Sequence, residues 1–222
     1  MKNTLRSLVL VPVLASVPMA ALATSAELTI TGTITPAVCT PSFSGGGTIN
    51  HGPIAPADLS ATQFTLLNAE TVQLTITCDA PGAFAVSIRD ERPDAIPAGI
   101  ETFLNAPAGA VLGLGGSTDK PTGAYTVSFA EGGQQGDSGA ITPISRATSS
   151  GAWTALSGNQ IIVNQASDMQ YSWASTGTTP GAYNRVDATL NIATALNRTG
   201  DLPSLSNELE LQGRATLTLF HL

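Results

Sequence analysis

Charge is what this chain of 222 residues has least of: Asp, Glu, Lys and Arg make up 11% of it, 9 cations against 16 anions, for a net charge of −7. With a pI near 4.6 it lacks the basic footprint that neutralises phosphates, so nucleic acid is not an expected partner. Lys120 is the only lysine beyond Lys2, too sparse a cationic surface for adsorption to an anionic membrane. Two histidines and two cysteines are too few ligands for most zinc or iron–sulfur centres, and no metal or cofactor is expected. What the chain has instead is 22 glycines and 14 prolines, a load of helix breakers that excludes long helices and coiled coils. The length is enough for one domain with a real core.

The first residues read as an address. Lys2 and Arg6 give a positive start, residues 8–15 an apolar run, and Ala21-Leu22-Ala23 a small-residue cleavage signal. Residues 1–23 are therefore expected to be a secretory signal peptide. No later stretch offers some 18 uninterrupted apolar residues, so membrane insertion is not expected. Cys39 and Cys78 both follow the leader. In an oxidising compartment a disulfide between them is favoured over two buried thiols, and the absence of a CxxC motif argues against a redox pair. Closing that loop stabilises by about 4 kcal/mol in the chain-entropy account.

Period two dominates the rest. Leu28, Ile30, Gly32 and Ile34 alternate with Thr29, Thr31, Thr33 and Thr35, a strand ended by Pro36. Val72, Leu74, Ile76 and Cys78 alternate with Thr71, Gln73, Thr75 and Thr77, and Phe84, Val86 and Ile88 resume the pattern beyond a Pro81-Gly82 turn. Further strands are predicted at 125–129, 160–163, 169–173 and 186–192. Leu209, Leu211, Gly213, Ala215, Leu217 and Leu219 make a closing strand. One helix is predicted at 58–67, and 90–120 and 131–151 read as long surface loops. Strands separated by turn residues indicate an all-β, antiparallel β-sandwich of one domain.

The first strand stands outside the disulfide loop, so it is either an edge strand of its own sandwich or a strand offered to another molecule. Leu28-Thr-Ile30-Thr-Gly32-Thr-Ile34 with Cys39 seven positions after the glycine resembles the donor strand and first cysteine of pilins assembled by the chaperone–usher pathway. The segment from Val72 to Cys78-Asp79 is similar to the strand with their second cysteine, and the alternating C-terminal strand fits as well. The chain looks most like the beta-fimbriae major-subunit-like group, known as a domain of unknown function. The resemblance implies an incomplete immunoglobulin-like sandwich over 37–222, with residues 24–36 as N-terminal donor strand. Its groove would stay open until a periplasmic chaperone, and then a homologous subunit delivered by an outer-membrane usher, inserts a strand. Leu28, Ile30 and Ile34 would fill pockets, Gly32 would cross a shallow point, and Leu217, Leu219 and Phe220 would form the C-terminal strand facing chaperone and usher. Pilins commonly carry a penultimate aromatic residue; here that place is His221, with Phe220 before it.

The expected function is thus a structural subunit of a cell-surface fimbrium, exported through the periplasm. The alternative is a self-complete secreted β-sandwich adhesin that binds a glycan or host protein without polymerising. No enzyme is expected. His51, in Asn50-His51-Gly52-Pro53, lacks the carboxylate and hydroxyl spacing of a triad and reads as a solvent-facing turn residue. Asp90, Glu91 and Asp94 around Arg89 and Arg92 read as a solvated turn, with a calcium site the alternative. Trp153, Tyr171, Trp173 and Tyr183 read as core or strand-pair residues, with sugar stacking the alternative. Asn197-Arg198-Thr199 matches a glycosylation sequon.

Overall fold

A computed structural model describes residues 25–33, 35, 37–156, 160–162 and 168–222. Residues 1–23, expected to be a signal peptide, and Ile34, Pro36 and Val163 lie outside the described residues. The chain divides into two units, Met1–Ile34 and Thr35–Leu222. In the first, residues 25–33 carry no regular secondary structure.

The second unit is mostly β, and every strand pair described in it is antiparallel. Its strands are β1 (Cys39–Phe43), β2 (Thr65–Leu66), β3 (Glu70–Asp90), β4 (Leu112–Gly113), β5 (Gly123–Gly136) and β6 (Gly139–Ala140), then β7 (Thr142–Arg146), β8 (Thr154–Ala155), β9 (Gln170–Ala174), β10 (Ala182–Leu196) and β11 (Ala215–His221). They form one curled sheet, a half-barrel, in the order β4-β5-β10-β3-β9-β7-β8, with β1 and β11 on β3, β2 on β10 and β6 on β5.

The curl comes from β3, whose 21 residues take the place of the two strands and turn expected around Pro81-Gly82. Its first half pairs with β1 and β10, and its second half pairs with β11 and bridges β9. Between the halves the register against β10 shifts at Tyr183/Arg185. Pro81 falls in the skipped stretch, where its missing N–H interrupts the ladder at no cost to pairing. A Cβ at Gly82 would meet the Ala37 methyl at 3.0 Å, so the bend is tight. Cys39 and Cys78 face each other in register and are disulfide-bonded, which staples β1 to its neighbour β3.

Alternation along β3, β5 and β10 sends one set of side chains into the hollow. There Leu74, Ile76, Val86, Phe129 and Val186 pack with Tyr171 and Trp173 of β9. The rings of Phe84 and Phe129 meet Trp173 edge-on at 5.9 and 5.7 Å, the arrangement the ring quadrupole favours. Tyr171, Trp173 and Tyr183 are thus core residues, as expected. A second, smaller cluster forms on the outer face, where Ala124 and Ala195 meet Ile100 and Val111.

That outer cluster corrects the expectation of a plain surface loop at 90–120, which folds into the short helix α1 (Ile100–Phe103) and β4. Residues 131–151 likewise hold the end of β5, β6 and β7, with a register shift at Ala188/Leu190 where β5 carries Gly132-Gly133. The helix expected at 58–67 is absent: a 3₁₀ turn at Pro56–Asp58 is followed by β2. Among the described residues of 160–163 there is only an isolated bridge from Ile161 to Ser128. The closing strand begins at Ala215, six residues later than its alternation suggests, because β3 ends at Asp90, the partner of Ala215.

Candidate functional site

The feature that stands out is a groove of about 840 Å³ in the mouth of the half-barrel. Its floor is the apolar face of the sheet, with Val72, Ile88, Val127, Leu190 and Ile192. One wall is β11 and the chain leading into it, through Leu209, Leu211, Gly213, Ala215 and Leu217. The other wall is the segment from Gly47 to Leu59, which contributes Ile49, His51 and Ile54.

β11 sits at this mouth as an edge. Among the described residues it pairs with β3 alone, from Ala215 opposite Asp90 to His221 opposite Phe84. Leu217 and Leu219 are half-buried and pack on the core, while Thr216, Thr218 and Phe220 face solvent. The expected C-terminal strand is present, and its register places Phe220 opposite Ala85, on the outer face, 37% exposed. Above Ala215 the chain is held differently: Gln212 N–H donates to the Leu114 carbonyl at 3.0 Å, and Glu91 N–H to that of Arg214 at 3.0 Å. Thus 209–214 keep their alternation without a strand partner. A Cβ on Gly213 would stand 2.9 Å from Cε1 of Tyr125, so glycine lets this wall close on the floor.

Several polar groups in and beside the groove are engaged, whereas the buried Thr122 hydroxyl in its lining has no hydrogen-bond partner among the described residues. His51 is half-buried, and its Nε2 hydrogen-bonds Thr194 Oγ1 at 3.1 Å. This corrects the solvent-facing turn: the ring pins the proline-rich wall to β10. Burial first, and then the charge of Asp90, push the Tyr125 phenol well above its ordinary pKa, so it stays neutral. Asp90 is itself buried, and its carboxylate accepts Arg92 N–H at 2.8 Å and Gly113 N–H at 2.7 Å. Of the solvated turn expected there, Arg89, Glu91, Arg92 and Asp94 are exposed, whereas Asp90 is a buried anchor that ends β3 and starts the outer excursion. Among the described residues no group of three His, Cys, Asp or Glu is placed to hold a metal ion. No helix of the described residues is long and apolar enough to cross a membrane.

The residues expected to act as donor lie in the other unit. Leu28 is 86% exposed and Ile30 89%, and nothing stands within 4 Å of where a Cβ on Gly32 would be. Ile34 is outside the described residues. Trp153 is half-buried with the Arg146 guanidinium 4.5 Å from its ring centre. Asn197 is buried, its Nδ2 donating to the Pro121 carbonyl at 3.0 Å, so in the folded chain the sequon nitrogen is committed. Sequence reasoning missed the wall from Gly47 to Leu59. Its prolines and glycines carry no period, and only the apolar Ile49, Ile54 and Leu59 between breakers hinted at burial.

These features define an antiparallel β protein stapled by one disulfide, with β11 as an open edge beside the groove among the described residues. The chain belongs to the family described as "Protein of unknown function (DUF1120)", whose profile matches residues 28–138. It is similar to the protein GltF of Escherichia coli strain K12, 30% identical over 237 residues, covering 92% of this chain and 91% of that one. It is also similar to the uncharacterized protein YhcF of the same strain, 27% identical over 218 residues and covering 86% and 87%.

Proposed function

We infer that this chain is a structural subunit of a cell-surface fimbrium. It is exported through the periplasm, held by a chaperone, passed to an outer-membrane usher and joined to homologous subunits by donor-strand exchange. One observation carries the reading: the edge that β11 leaves unpaired borders an apolar groove. An open ladder beside apolar surface is an aggregation template that soluble proteins cover or blunt. A strand supplied from outside satisfies the backbone groups and the apolar floor together. In this reading the curled sheet is an immunoglobulin-like sandwich short of its last strand.

Residues 28–34 of another copy supply that strand. Leu28, Ile30 and Ile34 enter the groove, each contributing about 1.5–3 kcal/mol on full burial, and Gly32 crosses where the floor is shallow. The exposure of Leu28 and Ile30 supports this role, since apolar residues alternating with threonine have no solvent-facing reason to be there. Leu217, Leu219 and Phe220 belong to the edge that the chaperone covers first.

The test is expression with and without the cognate chaperone, followed by unheated denaturing gels. The reading predicts degradation or aggregation without the chaperone and a ladder of joined subunits with it. Normal soluble monomer without the chaperone, and no ladder, contradicts it and favours a self-complete adhesin.

A further inference from the structure

The outer face of the joint carries information of its own. On β11 the solvent side holds Thr216 and Thr218, standing opposite Arg89 and Ser87 of β3. Thr216 Oγ1 donates to Glu91 Oε1 at 2.7 Å. The Thr218 hydroxyl makes no hydrogen bond among the described residues. In the N-terminal segment every position between the apolar ones is also threonine, at 29, 31, 33 and 35. Exposure alone does not ask for threonine there, because Lys, Glu or Ser serves equally well on a wet strand face. A strand laid along the open edge of β11 with its apolar residues inward necessarily turns these threonines outward, beside Thr216 and Thr218. Directly opposed side chains then stand about 5 Å apart at Cβ, within reach of a hydroxyl–hydroxyl bond.

We propose that these threonines form a hydroxyl seam across the joint between two copies of this chain, continuing the Ser87–Thr218 row of β3 and β11 onto Thr29, Thr31 and Thr33 of the inserted strand. This rests on the donor-strand reading and adds to it how the partner is recognised. The apolar floor accepts any strand of alternating aliphatic residues, whereas the seam favours one whose outer face carries hydroxyls, as another copy of this chain does. A one-residue slip would set Leu28 or Ile30 against Thr218 and lose the seam and the groove together.

The experiment uses full-length chains joined into multimers and follows the dissociation rate of the joint in mild denaturant. Threonine to valine keeps the branched shape and removes only the hydroxyl. Thr218→Val should speed dissociation about 1.5- to 5-fold, the scale of one cross-strand pair. The triple change Thr29→Val, Thr31→Val and Thr33→Val should speed it at least as much. In the triple background, Thr218→Val should add nothing further, because its partner hydroxyl is already gone. The melt of the isolated Thr218→Val subunit should match wild type. Wild-type dissociation in these variants, or effects that simply multiply, overturns the seam. Ile30→Asp is run beside them. If it leaves the joint intact, the donor-strand reading itself fails; if it abolishes the joint while the valine variants dissociate as wild type, the seam alone fails.

Discussion

Residues 28–34 and β11 are written in one pattern and meet different fates. Each alternates aliphatic residues with threonine, yet β11 is a strand with Leu217 and Leu219 half-buried, while residues 25–33 have no regular structure and leave Leu28 and Ile30 almost fully exposed. The difference lies in what stands beside them. The second half of β3 offers β11 seven residues in continuous register, from Phe84 to Asp90, and the N-terminal segment has no strand partner among the described residues. Alternation makes a segment able to be half of a sheet; a neighbouring edge decides whether it is one. In this account the open edge of β11 in another copy is that neighbour.

The comparison can be sharpened by perturbing the side that is already folded. Cys78→Ser should have the largest effect, about 2–5 kcal/mol lost from subunit stability, read as a denaturation midpoint below that of the oxidised wild type. Leu217→Asp comes next: a carboxylate pointed at the floor beside Ile88 costs about 1–3 kcal/mol as a buried polar group without a partner and should abolish capture by the chaperone in a pull-down. Gly213→Val should cost less within the subunit, because overpacking of Tyr125 and Leu114 can be relieved outward at an exposed position. It narrows the groove, so slower joining in a mixing assay is its main readout.

The smallest effect is expected at Asp187, away from the groove. Its carboxyl is held below the ordinary carboxylate range first by the hydrogen bond from Arg185 and then by that from Thr75 at 2.6 Å. A depressed pKa means a contribution that is present above the unfolded value of about 4 and is lost as pH falls through the folded one. Acid titration of the melting temperature should therefore fall slightly less steeply for Asp187→Asn than for wild type. The pair is largely solvated, with the Arg185 side chain 57% exposed, which keeps the difference small.

Much of the sheet was legible because period two is a direct consequence of the pleat. Val72 to Cys78, Phe84 to Ile88 and the 186–192 core of β10 were read from alternation and are strands. What was not legible depends on contacts distant in sequence. That β3 runs straight through Pro81-Gly82 depends on β10 and β11 flanking it on either side of the bend. That 209–213 stops short of being a strand depends on where Asp90 ends β3. Asp90 looked like one acid of a charged turn, and its burial follows from two backbone N–H groups, one 23 residues away at Gly113. The groove itself left no mark in the sequence: its floor residues were found as strand positions, whereas its Gly47 to Leu59 wall has no period to read.

The most direct test is amide hydrogen exchange across β11, in the isolated subunit and in the joined one. Half of the β11 amides point away from β3 and have no partner in the described chain. The account predicts that these exchange quickly in the isolated subunit, become strongly protected on joining wild-type copies, and stay fast with Ile30→Asp, whose own melt is unchanged because Ile30 belongs to no core of its own subunit. If β11 is protected equally on both edges before joining, or if Ile30→Asp unfolds the isolated chain, the groove is not the seat of a neighbour's strand and the N-terminal segment is part of its own sheet.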